Sequence, residues 1–326
     1  MHRLDCYLAL TLVTALVMIK EETAVVADTP TLKNENLPGI LLMMLGIFLM
    51  ACMDTAAKLV VETNVSPIQI VAIRSWIILP IVIITMLCRR QLHSLKTQRP
   101  MAHAIRGSIG VLAPILFFTA LKTLPIADAT VIFFSSTFVL TVASVIVFKE
   151  HIGIHRWTAV IIGFIGVIIA MDPKGGGDMW AYLMIIGSTL AYAIAFITGK
   201  QLSTHDSVIS LVFSFNLIMG IVTTALLPLV WVDLSAVQFG LIFLIALFAV
   251  IGHIAITAAF SKAQMSAIAP FEYSGLLWTT LLGYLFWLDI PSTRVWTGAA
   301  IIIGCGLYVI YRESLRQKPS PRKPQP

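Results

Sequence analysis

The feature that most constrains this chain is a regular series of apolar segments, each close to the length that a helix needs to cross a lipid bilayer. The hydrocarbon core is about 30 Å thick, so a spanning helix needs about 20 mainly apolar residues. Backbone groups in lipid must bond internally, and the alternating pattern of barrel strands is absent, so we predict helices. They are expected at 38–61, 67–88, 102–122, 126–148, 156–172, 179–199, 207–231, 237–260, 265–287 and 295–312.

The composition excludes a water-soluble domain. Hydrophobic residues make up 58% of the chain and charged residues 12%, whereas a soluble domain carries about 25% charged residues. The chain therefore needs the lipid bilayer as its solvent. Its four cysteines are scattered without metal-ligand or redox spacing, so we expect neither a disulfide nor a metal site. We also expect no cofactor and no nucleic-acid partner.

A weak internal repeat divides the chain into two halves, whose matching positions lie about 140 residues apart. The matches pair Lys122, Ala127, Ala129 and Trp157-Thr158 with Lys262, Ala267, Ala269 and Trp296-Thr297. Since five spans per half is an odd number, the second half must enter the membrane upside down. We therefore predict an all-α membrane protein of ten transmembrane helices, built as two inverted five-helix repeats.

The same pattern predicts where the parts of the chain begin and end. Composition changes sharply before the first apolar segment, at a Gly-rich seam between the halves, and after the last segment. The predicted parts are an N-terminal tail or over-extended start at 1–37, the first repeat at 38–172, a connector at 173–178, the second repeat at 179–312, and a basic, Pro-rich disordered tail at 313–326.

Loop charge predicts the orientation. If the first span starts in the cytoplasm, most loop Lys and Arg residues lie on that side, and only Lys122, Lys174 and Arg294 lie on the other. Such asymmetry is typical of the positive-inside rule. We expect a multi-pass protein of the cell inner membrane with both termini in the cytoplasm.

Among the charged residues inside the predicted spans, we take five as functional candidates. They are Asp54, Lys58, Arg74, Arg106 and Glu272. An ionisable group at mid-bilayer costs about 2.5–3.5 kcal/mol, so such residues face a cavity or a partner and are functional candidates. Matching depths suggest two clusters at the ends of a central cavity, an outer Asp54–Lys58–Arg74 and an inner Arg106–Glu272. The alternatives are that Lys58 and Arg106 extend to the interface and that Asp54 and Arg74 are structural.

The ninth span carries the sharpest signal for a binding site. Glu272 follows Pro270, which opens the helix backbone, and precedes Tyr273 and Trp278, whose rings can stack on a planar ligand. A carboxyl there can bind a cation or carry a proton. Asn216 stands in the second half where Arg74 stands in the first, and we interpret it as the counterpart of Arg74.

Two further sets of residues inside the spans have a structural interpretation. His253 in the eighth span is expected to be a packing residue rather than a proton relay. Glycines are expected to allow close helix packing. They are Gly163, Gly166, Gly298, Gly304 and Gly306.

Three blocks of the first half form a pattern with a known counterpart. They are Asp54-Thr-Ala-Ala-Lys58 with Pro67 and Arg74, then Ala120-Leu-Lys-Thr-Leu-Pro-Ile-Ala-Asp-Ala129, then Phe148-Lys149-Glu150. The pattern resembles the EamA family of the drug/metabolite transporter superfamily, over about residues 38–311. The usual Gly-Glu closure of that family is Lys149-Glu150 here and Leu288-Asp289 in the second half. The resemblance implies a transporter and not an enzyme.

The first-half block and Pro270-Phe-Glu-Tyr273 are most similar to a bacterial subgroup that contains riboflavin and S-adenosylmethionine uptake proteins. The resemblance implies a secondary carrier for a small organic metabolite, working by alternating access, with proton or exchange coupling, as a monomer or homodimer. Export of amino acids or drugs is the alternative within the family. The sequence also leaves open a nucleotide-sugar carrier of internal membranes and a membrane enzyme, although no HExxH or GxSxG motif is present.

Overall fold

The computed structural model describes residues 36–149, 153–171, 178–263 and 265–316. Within these ranges the regular structure is entirely helical. Most of the expected N-terminal tail, all but the last residue of the expected connector at 173–178, and the end of the expected C-terminal tail lie outside the described residues.

The described residues form thirteen α-helices, with three short 3-10 helices between them. The α-helices are α1 (Leu37–Val61), α2 (Pro67–Cys88), α3 (Pro100–Gly110), α4 (Leu112–Ala120), α5 (Ile126–Phe133), α6 (Ser136–Phe148), α7 (Ile154–Met171), α8 (Met179–Leu202), α9 (Val208–Leu226), α10 (Ala236–Lys262), α11 (Met265–Ile268), α12 (Ser274–Trp287) and α13 (Thr293–Arg316). The 3-10 helices are Leu92–Leu95, Leu227–Leu229 and Ala269–Tyr273.

These helices confirm the predicted all-α membrane fold. When α3 is taken with α4 and α5 with α6, nine helices of the described part are long and apolar enough to cross a membrane. The remaining predicted span, 265–287, is present but divided into α11, a 3-10 turn and α12. A multi-pass membrane protein follows from these lengths.

Prolines explain two of the three breaks inside the spans. A proline has no N–H to donate, and its ring collides with the carbonyl four residues earlier. Pro114 therefore disrupts the helix at Gly110, where α3 ends. Pro270 stands in the 3-10 turn Ala269–Tyr273 and has the same effect on the ninth span, as the sequence predicted.

The packing between the halves has the pattern of a two-fold axis. Helix α1 of the first half packs on α10 of the second, and the equivalent α8 packs on α3 and α4. Helix α12 packs on α1, and the equivalent α5 and α6 pack on α8. Helix α3 also packs on α9, and the equivalent α10 packs on α2. Three further contacts join equivalent helices, α2 with α9, α5 with α12 and α7 with α13. Each of these contacts has a counterpart with the halves exchanged, as two inverted repeats require.

Glycines allow close approach at some of these contacts. A Cβ on Gly298 would collide with the Gly166 carbonyl across the α7–α13 contact, and a Cβ on Gly163 would collide with the Phe138 ring. These positions confirm the expected role in packing. The expectation was wrong for Gly304, where a Cβ would meet no atom within 4 Å, because this face of α13 has no helix against it.

Left-handed residues end the fourth span of each repeat. Lys149 follows α6 with φ 54°, and Leu288 follows α12 with φ 59°. Residues with a Cβ are strained in this region by about 1–2 kcal/mol, whereas glycine is not. These two residues stand where the EamA pattern has the glycine of its Gly-Glu closure. This chain therefore keeps the left-handed helix end with Lys149 and Leu288 in place of glycine.

We expect Leu288→Gly to stabilise the protein by about 0.5–1 kcal/mol, because the relieved strain exceeds the extra backbone entropy of glycine. The Leu288 side chain is 73% exposed and contributes little packing. The measurement is the thermal unfolding midpoint of the purified protein in detergent. As a control, Leu285→Gly at an exposed position inside α12 should lower stability by about 1 kcal/mol. Equal losses in both variants would contradict the strain argument.

Candidate functional site

Four side chains lie deep among the helices and still keep accessible surface. Asp54, Arg74 and His253 are surrounded by protein, yet the first two are partly accessible and His253 is exposed. Tyr192 lies equally deep and is 37% exposed. A side chain that is both central and accessible lines an internal space rather than lipid or packed core. We call this space the central chamber.

Asp54 and Arg74 interact electrostatically in the chamber without forming an ion pair. No N···O distance of 4.0 Å or less joins them, and within the described ranges the Asp54 carboxylate has neither a hydrogen bond nor an ion pair. The only contact of the Arg74 guanidinium in that part of the chain is a weak one, at 3.9 Å, from Nη1 to Met53 Sδ. Its Nε is buried without a partner. The predicted proximity of Asp54 and Arg74 is thus present, although no ion pair joins them.

His253 stands beside Arg74 and faces the chamber. Its Nδ1 is 2.7 Å from the Ala249 carbonyl oxygen, and because a carbonyl only accepts, Nδ1 carries a proton. Arg74 interacts with the ring electrostatically. The expectation that His253 is a packing residue was wrong, because its side chain is exposed.

Glu272 is presented by the broken ninth span. The 3-10 turn Ala269–Tyr273 carries it between α11 and α12. The carboxylate interacts electrostatically with Tyr192 and Tyr273, and it has no ion pair or hydrogen bond among the described residues. Broken helices at the centre of inverted-repeat transporters commonly form the binding site.

Tyr273 fixes the turn that carries Glu272. Its ring packs edge-on against Phe134 with centroids 5.2 Å apart, and its hydroxyl bonds with Thr137. A Cβ on Gly306 would overlap that hydroxyl, so the missing side chain of Gly306 makes room for it. Tyr273 is therefore held on three sides, whereas its neighbour Glu272 stays unpartnered.

Trp278 lies one to two turns further along α12. Its ring packs edge-on against Phe48 of α1, with centroids 5.1 Å apart. The indole Nε1 is buried and has no hydrogen-bond partner. A buried indole N–H usually finds an acceptor, so this donor also remains for a ligand.

The predicted inner pair Arg106–Glu272 was wrong. Arg106 Nε donates to the Ala195 carbonyl at 3.0 Å and Nη1 donates to the Leu211 carbonyl at 3.1 Å. Its guanidinium also lies 4.7 Å from the Phe215 ring centroid. Helix α3 packs on α8 and α9, whereas α12 packs on α1 and α5, so equal depth did not bring the two charges together. Arg106 instead joins α8 to α9.

The predicted placement of Lys58 with Asp54 was also wrong. Lys58 Nζ lies 2.7 Å from the Leu124 carbonyl oxygen and 3.6 Å from Glu62 Oε1. It also lies 5.2 Å from the Trp287 ring centroid, and Trp287 Nε1 donates to Glu62 at 2.8 Å. The lysine side chain is long enough to point away from Asp54 to the end of α1. It is buried and does not extend to water, so the alternative of an interfacial lysine fails as well.

Asn216 lies on α9, the helix equivalent to α2, which carries Arg74. Its side chain is buried and donates to the Val212 carbonyl of its own helix at 2.9 Å. The capping serines Ser66 of α2 and Ser207 of α9 lie one residue closer in sequence than Arg74 and Asn216 do, so the helix starts do not support this register. Asn216 as the counterpart of Arg74 stays a prediction.

Two hydrogen-bond networks lie at opposite ends of the helix bundle, and sequence reasoning missed both. At one end, the Gln69 side chain donates to the Val232 carbonyl at 2.8 Å and accepts from its N–H at 3.1 Å. We call this the Gln69 network, and it includes the bond from Gln238 to Thr63 at 2.8 Å. Gln69 is fully buried.

At the other end, Asp206 accepts hydrogen bonds from three residues. The donors are Thr97 Oγ1 at 2.7 Å, the Gln98 N–H at 2.9 Å and His103 Nε2 at 2.7 Å. Ser210, at the position equivalent to Gln69, adds a bond to the Lys96 carbonyl at 3.2 Å. We call this the Asp206 network. Gln69 and Ser210 each bind the loop before the third span of the opposite repeat.

Tyr192 is the chamber residue that the sequence could have revealed. Tyrosine in membrane helices concentrates at the two interfaces, where its hydroxyl meets water. Tyr192 lies near the middle of α8, at a depth where its hydroxyl needs either a partner or a cavity. A mid-span tyrosine is therefore a signal of the same kind as a mid-span carboxylate.

We expect the Asp206 network to stabilise the protein in a pH-dependent way. Burial raises the pKa of Asp206, but the hydrogen bonds from Gln98, Thr97 and His103 outweigh it and hold the pKa below its usual value. The unfolded value is about 3.9, so the stabilisation is complete above that pH and is lost as the pH falls through the native pKa.

The test compares the unfolding midpoints of wild type and Asp206→Asn between pH 7 and pH 3. We expect the variant to be less stable by about 1–3 kcal/mol at pH 7 and the difference to shrink toward pH 3. Asp233→Asn, in an exposed loop, should behave as wild type. If the two unfolding midpoints differ by the same amount at every pH in this range, the Asp206 carboxylate does not provide the pH-dependent stabilisation.

Comparison with known proteins agrees with this architecture. Residues 37–171 match the EamA-like transporter family. The chain is 26% identical over 221 residues to an S-adenosylmethionine uptake transporter of Rickettsia bellii, covering 68% of this chain and 76% of that protein. It is 27% identical over 282 residues to a riboflavin transporter of Vibrio cholerae, covering 84% and 93%.

Two further similarities extend the comparison. A pseudopaline exporter of Pseudomonas aeruginosa, CntI, is 25% identical over 270 residues and covers 81% of this chain and 93% of its own length. A solved crystal structure superposes with a TM-score of 0.58 at 15% identity, covering 86% of this chain and 99% of that one. At that identity the superposition supports the fold alone.

Proposed function

We propose that this chain, which belongs to the EamA-like transporter family, is a secondary transporter that takes up a small organic metabolite across the inner membrane by alternating access. The observation that carries the proposal is the set of unpartnered charges in the central chamber, Asp54, Arg74 and Glu272. Charges inside a membrane protein are costly without partners, so a ligand that supplies those partners gives them a function.

The two hydrogen-bond networks at opposite ends of the bundle support alternating access. The Gln69 network and the Asp206 network are built by equivalent parts of two inverted repeats. Rocking one repeat against the other around the chamber would open one network while the other stays closed. The predicted orientation, with both termini in the cytoplasm, would place the Gln69 network at the outer side.

Among the substrates named for similar proteins, S-adenosylmethionine fits the charges best. It carries an α-amino acid group with both signs of charge, a sulfonium cation and a planar adenine. Arg74 and Asp54 suit the carboxylate and the ammonium of the amino acid group. Glu272 suits the sulfonium, and Trp278 suits the ring, where its free indole N–H can donate. Riboflavin is planar but uncharged at neutral pH, so it leaves these charges without partners.

Several properties of the transporter are part of the same proposal. Proton coupling and exchange are the two forms of coupling we consider, with a monomer or homodimer as the working unit. The substrate-contacting residues are proposed to be Glu272, Arg74, Asp54 and Trp278. Tyr273 supports the turn that carries Glu272, and Lys58 anchors the end of the helix that carries Asp54. Arg106 joins α3 to α8 and α9, and Asn216 bonds within α9.

We expect cells that produce the protein to accumulate labelled S-adenosylmethionine above cells with an empty vector. Glu272→Gln and Arg74→Gln should each lower uptake at subsaturating substrate about 10- to 100-fold, since a bond to a charged group contributes about 1.5–3 kcal/mol. Asp233→Asn serves as the charge-matched control and should retain wild-type uptake. Uptake of labelled riboflavin but not of S-adenosylmethionine would contradict the choice of substrate.

Direction and coupling are tested in proteoliposomes. Preloading with unlabelled S-adenosylmethionine should accelerate entry of the labelled compound if the protein exchanges substrates. An imposed proton gradient should drive accumulation without preloading if transport is proton-coupled. Efflux in cells without any uptake would assign the protein to the exporters of the family.

A further inference from the structure

Tyr192 stands opposite Glu272 and has no assigned function so far. It lies on α8, the first helix of the second repeat, and is 37% exposed although it is deep in the protein. Its ring centroid lies 5.4 Å from that of Phe133 and 6.1 Å from that of Phe196. Within the described part of the chain, no hydrogen bond is formed by its hydroxyl. The ring is thus fixed by its aromatic neighbours while its surface and hydroxyl stay open to the chamber.

Glu272 reaches this aromatic wall from another direction. It interacts electrostatically with both Tyr192 and Tyr273, while Tyr273 packs on Phe134 of the first repeat. One carboxylate without a protein cation therefore lies within electrostatic range of two tyrosines, whose rings pack on Phe133 and Phe134. Both repeats contribute to the wall, since Phe133 and Phe134 belong to the first and the two tyrosines to the second.

The composition of the wall indicates which cation it suits. The described residues hold no group of three or more His, Cys, Asp or Glu side chains placed to bind a metal ion. A single carboxylate cannot replace the hydration shell of a small divalent ion, which needs about six oxygen ligands. Aromatic faces do attract bulky, weakly hydrated organic cations such as quaternary ammonium groups.

We propose that Glu272, Tyr192 and Tyr273 form a subsite selective for the alkylated cationic centre of the substrate, a sulfonium or quaternary ammonium group. This deepens the proposed function and rests on it for the identity of the transported molecule. Tyr192 is the residue that determines specificity, because its accessible ring distinguishes a cationic centre from a neutral one of the same size. The carboxylate supplies the opposite charge.

The first experiment uses small probes and the purified full-length protein in detergent. Choline and its neutral isostere 3,3-dimethylbutan-1-ol are titrated, and binding is measured from the rise in thermal unfolding midpoint. We expect choline to bind at least tenfold more tightly than the neutral alcohol. Equal affinities for the two probes, or no binding of choline, would overturn the proposal.

Substitutions test which residues produce the preference for choline over the neutral alcohol. Glu272→Gln and Tyr192→Leu should each lower the preference for choline about tenfold, while Tyr192→Phe, which keeps the ring, should stay within about threefold of wild type. Tyr284→Leu removes an exposed tyrosine of α12 and is the matched control. If Tyr192→Leu does not fold, the subsite is tested by the choline preferences of the other two variants. The preference should fall in Glu272→Gln and persist in Tyr192→Phe. Unchanged preference in Glu272→Gln would overturn the subsite.

A second experiment separates this proposal from the choice of substrate. S-adenosylhomocysteine lacks the methyl group and therefore the positive charge on sulfur. It should compete with labelled S-adenosylmethionine at least tenfold more weakly than the unlabelled substrate does, and Glu272→Gln should remove the difference. Equal competition in wild type would overturn the subsite and leave the transporter assignment intact. Selective choline binding without S-adenosylmethionine uptake would leave the subsite intact and refute the substrate.

Discussion

The structure depends on the requirement that backbone N–H and C=O groups in lipid find partners within the protein. Unbroken helices meet this requirement alone, so a break is tolerated only where other helices or a cavity surround it. The breaks in the fourth and ninth spans meet at the packed pair Phe134 and Tyr273, in the interior of the bundle. The irregular backbone that proline imposes at Pro270 is therefore also what turns Glu272 into the chamber. The break in the helix and the position of the Glu272 carboxylate have the same origin.

The charged residues divide into two groups according to their partners. Those near the ends of the helices are satisfied by the protein, as shown by Arg106 on two backbone carbonyls and by Lys58 on a carbonyl and Glu62. Those in the chamber, such as Glu272, have no ion pair in the part of the chain that the structure describes. A protein that needed charges only for folding would pair the central ones first, because charges are costliest there. This distribution supports the proposal that the chamber binds a charged ligand.

The sequence predicted the spans and the inverted repeat, because these follow from segment length and an odd number of spans per half. It also identified Asp54, Arg74 and Glu272 from the cost of placing a charge inside a membrane, and their function stays a prediction. The sequence did not predict the interaction partners of Arg106 and Lys58. Depth along a helix gives the height of a residue but not the direction of its side chain, and Arg106 and Glu272 lie at similar heights on helices that do not touch. Lys58 found the Leu124 carbonyl, which no sequence pattern identifies. Tyr192 was missed because aromatic residues are common in such helices and only its depth is unusual.

The equivalence of Gln69 and Ser210 has a thermodynamic consequence. Two inverted repeats of identical sequence would make the inward-facing and outward-facing forms equal in free energy. Here one end is held by a buried amide that makes two hydrogen bonds with Val232, and the other by a serine hydroxyl beside the carboxylate of Asp206. The resting ratio of the two forms is set by the difference between these unlike closures. A single side chain at either mouth can therefore bias which side the empty carrier faces, without touching the molecule it carries.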